Sequence, residues 1–175
     1  MIKHFEAIAD SVNIPIILYT VPSRTGCNIA PNIVERLARH RNIVGIKDAT
    51  GDFSYSMKIS RLLADDFSMY SGNDDTIIPL MSIGASGVIS VWANYHPKTV
   101  SQMVEAFAVG RHKEALTLQQ ENLALINSLF AETSPIPLRY VMNKAGFDVG
   151  PARLPLAELS DSGKAVIDTA LEEAR

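Results

Sequence analysis

The stretch NIVGIKDATGD, residues 42–52, puts an apolar run, a lysine and a turn-forming segment in immediate succession. The run Ile43 to Lys47 is too short for a helix and lacks the polar alternation of a strand with one wet face. It predicts a strand covered on both faces, the usual condition in a parallel sheet. AlaThrGlyAsp at 49–52 then makes a loop, and Met57, Ile59, Leu62 and Leu63 mark a helix after it.

The same order recurs on either side. Upstream, Ile2, Phe5, Ile8 and Val12 predict an amphipathic helix ended by Asn13, and Ile14 to Tyr19 a buried strand. Pro22, Ser23 and Gly26 make the next loop, and Pro31 opens a helix with Ile33, Val34, Leu37 and Ala38 on its apolar stripe. Downstream, Phe67 to Tyr70 is a third strand and SerGlyAsnAspAsp at 71–75 its loop. Asp75 is placed to cap a helix carrying Ile77, Ile78, Leu80 and Met81, with Pro79 close to its first turn. Gly87 to Val91 reads as the fourth strand, followed by a helix with Val100, Met103, Val104 and Phe107 that Gly110 closes. Four βα units in sequence predict an α/β fold, either a doubly wound sheet or part of a (β/α)8 barrel. In both, ligands gather at the carboxyl ends of the strands. Beyond Gly110 the chain turns all-helical: Arg111 to Phe130, a segment begun by Pro135 and Pro137, and a last helix from Leu159 to Ala174. The expected division is therefore 1–110 and 111–175.

Composition narrows the function classes. With 175 residues, 47% of them hydrophobic and 20% charged, the chain is neither disordered nor collagen-like. Its 16 Lys+Arg against 19 Asp+Glu leave a net charge of -3 and no basic block to follow a phosphate backbone, so nucleic acid is not an expected partner. Cys27 is alone, which excludes an internal disulfide and a cysteine-based zinc site. His4, His40, His96 and His112 are scattered without metal-ligand spacing. No apolar run approaches the roughly 20 residues of a membrane span, and the acidic start lacks a signal peptide's apolar centre. A soluble, unprocessed, cytoplasmic protein is the expectation.

Among residues able to do chemistry, Lys47 stands first, because it ends an apolar strand where neighbours can desolvate it. Burial favours the neutral amine, the nucleophile that forms a Schiff base with a carbonyl substrate. The bland alternative is a lysine whose stem lies on the sheet while its charge reaches water. Tyr19 also ends a strand and is either a proton-transfer phenol in the same mouth or a core tyrosine. Arg24 sits in a loop, as a carboxylate clamp or as a solvated arginine. Gly72 permits close backbone approach to a ligand, while capping explains the neighbouring acids adequately. Neither GxGxxG nor a Walker phosphate loop occurs, and Asp65 with Asp66, and Glu172 with Glu173, read as solvated charge.

Together, LYTVPSRTG (18–26), NIVGIKDATGD (42–52), YSGNDD (70–75) and GVISVWAN (87–94) closely resemble the dihydrodipicolinate synthase family, in order and in spacing. TSPIPLR (133–139) and RLPLAELS (153–160) resemble its C-terminal helical region. The resemblance implies a class I aldolase-type lyase on a (β/α)8 barrel, condensing pyruvate with aspartate semialdehyde toward diaminopimelate and lysine. It makes Lys47 the Schiff-base lysine, Tyr19 the proton-relay tyrosine and Arg24 the binder of the semialdehyde carboxylate. Ile89 becomes the residue whose carbonyl lines the pyruvate site, and Gly72 and Asn73 part of a loop at the same mouth. No cofactor is implied beyond the covalent pyruvate imine on Lys47.

Four strands followed by helices match the second half of such a barrel, since a full one takes eight strands and about 250 residues. The family's Gly-Thr-Thr-Gly-Glu segment and a further relay tyrosine do not occur here. The expected partners are therefore the two small substrates and either a second copy or a missing N-terminal half. Two other readings stand beside this one: an N-acetylneuraminate lyase-like pyruvate aldolase, and a non-catalytic half-barrel fragment.

Overall fold

The computed structural model describes residues 1–173. By its internal contacts the chain forms two compact units, Met1–Ile89 and Ser90–Arg175. That division falls ahead of the change in character that the sequence shows after Gly110.

The first unit runs α1 (Ile2–Asp10), β1 (Ile16–Thr20), α2 (Pro22–Thr25), α3 (Pro31–Leu37), β2 (Ile43–Asp48), α4 (Phe53–Ser60), β3 (Ser68–Ser71), α5 (Ile77–Met81) and β4 (Gly87–Val88). The strands form one sheet in the order β1-β2-β3-β4, every neighbouring pair parallel. Among the described residues no fifth strand closes it into a barrel. Alternation along each strand sends side chains to opposite faces. Leu18, Ile46 and Met69 point to the covered face, at most 1% exposed, and pack with Val34, Leu37 and Ile59 from α3 and α4.

The expectation of strands covered on both faces holds for that face alone. On the other, Ile17 is 41% exposed, Tyr19 46% and Ile89 40%. The helices lie on one side, so the apolar runs that read as doubly buried meet a single layer of cover.

Several boundaries move for local reasons. β1 starts at Ile16 rather than Ile14, because Pro15 has no N–H to give a ladder and Ile14 is exposed. α1 turns Ala9 inward and leaves Ile8 and Val12 exposed, and the Asn42 side-chain amide donates to the carbonyls of Ala9 and Val12 where the helix runs out. Asp75 is not a cap: it lies inside a 3-10 turn, Asp74–Thr76, that leads into α5. β4 stops at Val88 although the Ile89 N–H still donates to Ser71.

The second unit holds α6 (Pro97–Ala108), α7 (His112–Glu121), α8 (Leu123–Ser128), α9 (Ile136–Lys144) and α10 (Asp161–Glu173). The single long helix expected over Arg111 to Phe130 is broken at Asn122, whose side-chain amide donates to the Leu118 carbonyl at 2.8 Å. A short amide that bonds its own backbone competes with the helix ladder in this way. The last helix begins at Asp161, and the predicted end at Ala174 lies outside the described residues. Among the described residues no helix is long and apolar enough to cross a membrane.

The register of β2 against β3 depends on Gly45. A Cβ there would stand 2.6 Å from the Ser68 carbonyl oxygen, and the obstacle is backbone, which has little room to yield. Gly45→Ala should therefore destabilise the first unit by about 1–3 kcal/mol, the usual cost of overpacking. Urea denaturation reads this directly, and an unchanged midpoint would show that the strands can separate without penalty.

Candidate active site

Parallel register brings the strand ends to one level. Tyr19 of β1 pairs with Lys47 of β2, and Lys47 with Tyr70 of β3, so all three side chains leave the sheet on its open face. The Lys47 Nζ lies 4.2 Å from the centre of the Tyr19 ring. Sequence reasoning placed both residues in one mouth, and the structure brings them into contact.

Three influences act on the Lys47 amine. Burial is the largest and lowers its pKa from the ordinary lysine value, while the negative charge of Asp74 acts in the opposite direction. The Tyr19 ring face also favours the ammonium form, by about 0.5–1 kcal/mol at a site as open as this one. The amine is thus half-desolvated and shifted toward neutrality at the carboxyl end of an inner strand.

Around it the strand-end loops are held by a polar lattice on the covered side. Asp48, 2% exposed, accepts from the Thr50 N–H and hydroxyl through Oδ1 and from the Ser56 hydroxyl through Oδ2, at 2.9, 2.7 and 2.6 Å. Its own carbonyl accepts from the Gly72 N–H at 2.7 Å. A Cβ at Gly72 would lie 2.6 Å from the Ala49 Cβ, so the β3 loop can sit against the β2 loop only without a side chain there. The Asn73 N–H donates to Ser71 Oγ, and the Asn73 side chain lines a small cleft with Asp48, Gly51, Phe53 and Ser56. On β1, Thr20 donates to the Asn28 side chain at 2.6 Å and accepts from the Ile29 N–H, fastening both ends of the loop that carries Arg24. Arg24 itself is exposed in α2. Ile89 stands on the open face with Tyr19 and Lys47, next to the end of β4. Tyr55 closes the lattice from α4: its phenol donates to the Ile29 carbonyl at 2.8 Å, and burial pushes that phenol's pKa up.

A model of the dihydrodipicolinate synthetase family matches residues 1–174. The chain belongs to that family. A relative from Clostridium novyi named 4-hydroxy-tetrahydrodipicolinate synthase is 48% identical over 170 residues, covering 97% of this chain and 57% of the relative. The dihydrodipicolinate synthase of Cyanidioschyzon merolae, solved with lysine bound, superposes with a TM-score of 0.95 at 34% identity, covering 99% of this chain and 59% of that one. The chloride-inhibited enzyme of Acinetobacter baumannii, complexed with pyruvate, gives 0.93 at 39% identity, covering 99% and 60%. The chain thus spans less than two thirds of the length of these synthase relatives.

Beyond the residues that the family resemblance singled out, the structure adds two acids beside Lys47. Asp48 reads in sequence as an ordinary polar residue after a strand, and its burial depends on Ser56, a full loop later. Asp74 was overshadowed by Asp75, which looked like the cap; it is Asp74 that is buried, at 2% exposure. The only available signal was the alternation itself, which sends Asp48 to the helix side once Lys47 is placed on the other.

The balance of influences on Lys47 has a measurable sign. Asp74→Asn removes the charge that favours the ammonium, so the Lys47 pKa falls further and the neutral amine exists at lower pH. Acylation of Lys47, followed by peptide mass spectrometry across pH, should show its midpoint moving down relative to the unsubstituted chain. A midpoint that stays or rises would mean that Asp74 does not act on this amine.

Proposed function

We propose that this chain carries the imine-forming site of a pyruvate-dependent lyase, with Lys47 as its nucleophile. The observation that carries the reading is Lys47 itself: a half-buried amine of lowered pKa, at the end of an inner parallel strand, 4.2 Å from a tyrosine ring. The names of the relatives support it, as does pyruvate in the Acinetobacter baumannii structure.

On this reading the neutral Nζ adds to the C2 carbonyl of pyruvate, and the carbonyl oxygen leaves as water. The protonated imine withdraws electrons from the methyl carbon, which loses a proton to give an enamine. That carbon then bonds to the aldehyde carbon of aspartate semialdehyde, whose oxygen takes up a proton. Tyr19 is the group placed to carry protons, being in contact with the amine. Arg24, exposed on its fastened loop, is the cation for the semialdehyde carboxylate, while Gly72, Asn73 and the Ile89 carbonyl shape the pyruvate side. The imine is its own electron sink, so the reading asks for no cofactor.

Assembly follows from the open sheet. The all-helical stretch after the fourth strand supports reading the four βα units as the second half of a barrel, with the exposed face of Ile17, Tyr19 and Ile89 turned inward. Further strands, from a second copy or from a separate half, would close that face and complete the proton path. Imine formation, which needs chiefly Lys47, should survive better in this chain alone than condensation, which needs every group in place.

Borohydride reduction in the presence of pyruvate tests the reading. Intact mass should rise by one reduced pyruvyl group, and Lys47→Ala should abolish the gain. A folded chain that takes up nothing would leave the lysine as inherited sequence and favour the structural-fragment reading.

A further inference from the structure

Lys47 and Asp48 are neighbours on β2 and leave it on opposite faces, the lysine toward the open side and the carboxylate into the interior. A carboxylate is costly to bury unless hydrogen bonds satisfy it. Asp48 meets that condition with three short contacts: Thr50 N–H, Thr50 hydroxyl and Ser56 hydroxyl. Those donors come from two different places, the turn directly after β2 and the first turns of α4. Ser56 also donates to the Asp52 carbonyl, and Asp52 caps α4 by accepting from the Tyr55 N–H. The carboxylate therefore ties the end of β2 to the start of α4.

The same residue's backbone ties β2 to its neighbour on one side. Its carbonyl holds the Gly72 N–H, and the next residue, Ala49, donates to the Thr20 carbonyl on the other side at 3.0 Å. Asp48 is thus the point at which β1, β2, β3 and α4 are fastened together, one residue beyond the amine. Lys47 reaches out on a flexible four-carbon stem, so the backbone from which that stem starts sets the region that Nζ can sample. The peptide between residues 47 and 48 is one of the two that hold that starting point.

We propose that Asp48 is a positioning residue for Lys47: its buried carboxylate fixes the strand end from which the amine reaches a carbonyl substrate. The inference rests on the imine chemistry proposed above, and it concerns geometry rather than charge. Asp48→Asn can keep the arrangement, since its side-chain oxygen accepts from both Thr50 donors and its amide can donate to Ser56 Oγ, which still donates to Asp52. Asp48→Ala takes the acceptor from both Thr50 donors and leaves the Ser56 hydroxyl only the Asp52 carbonyl, so the tie between the end of β2 and α4 is lost.

The test is the rate of imine formation in the full chain at saturating pyruvate, trapped with borohydride at timed intervals and read by intact mass. Asp48→Ala should slow it roughly tenfold to a hundredfold, the scale on which small misplacements act, while Asp48→Asn returns it to within about threefold of the unsubstituted chain. The pH midpoint of the rate should be the same in all three, which a charge effect would not leave unmoved. Ser56→Ala, which removes one of the three contacts, should give a smaller slowing and serves where Asp48→Ala does not fold.

An Asp48→Ala chain that is folded, less stable and as fast as the original would overturn the inference, because the carboxylate would then be structural only. So would a shift of the pH midpoint in Asp48→Asn, or an unslowed Ser56→Ala in a chain whose Asp48→Ala form does not fold. These outcomes presuppose an adduct in the unsubstituted chain. Its absence there would overturn the imine chemistry and this inference with it, whereas an adduct that forms undiminished without the carboxylate overturns the inference alone.

Discussion

Parallel pairing of β2 with both of its neighbours is the constraint from which the candidate site follows. In a parallel sheet all strands end at the same edge, so loops far apart in sequence become neighbours, and residues in register share a face. Tyr19, Lys47 and Tyr70 meet for this reason alone. Gly45 maintains the register by letting the Ser68 carbonyl approach where any side chain would block it, and Gly72 does the same one level higher, where loop lies against loop. The chemistry of the site thus depends on two places where nothing projects.

Alternation then divides the work at the strand end. The open face carries the amine and the tyrosine ring; the covered face carries the carboxylate and hydroxyls that hold the backbone. The two sets are coupled through one peptide unit. Desolvation of Lys47 is partial because only one face of its strand has a layer of helices over it. Covering the open face would remove more water from the amine and lower its pKa further.

Much of this was legible in the residues. Apolar runs of strand length, each followed by a loop and a helical stripe, were enough for four parallel strands in sequence order. What escaped depended on partners distant in the chain. The burial of Asp48 needs Ser56, the end of α1 is met by Asn42, and the break at Asn122 comes from a side chain turning back on its own helix. Periodicity reports which face is apolar and says nothing of such bonds. Local reading also preferred Asp75, the residue in cap position, to Asp74, the one the fold buries.

The run Ile14 to Tyr19 carries one more piece of information. Its lack of alternation reads as a strand covered twice, yet Ile17 and Tyr19 lie 41% and 46% exposed. A strand selected to face solvent on one side keeps polar residues there, because apolar side chains in contact with water cost about 25 cal/mol for each Å² that burial would remove. Nothing in this run makes that concession. The sequence is therefore matched to a second layer over the open face, and the relatives, with about two fifths of their own length outside the match, are long enough to supply one within a single polypeptide. In this chain the same face is where Lys47 emerges, so whatever covers the apolar residues also determines how much water reaches the amine.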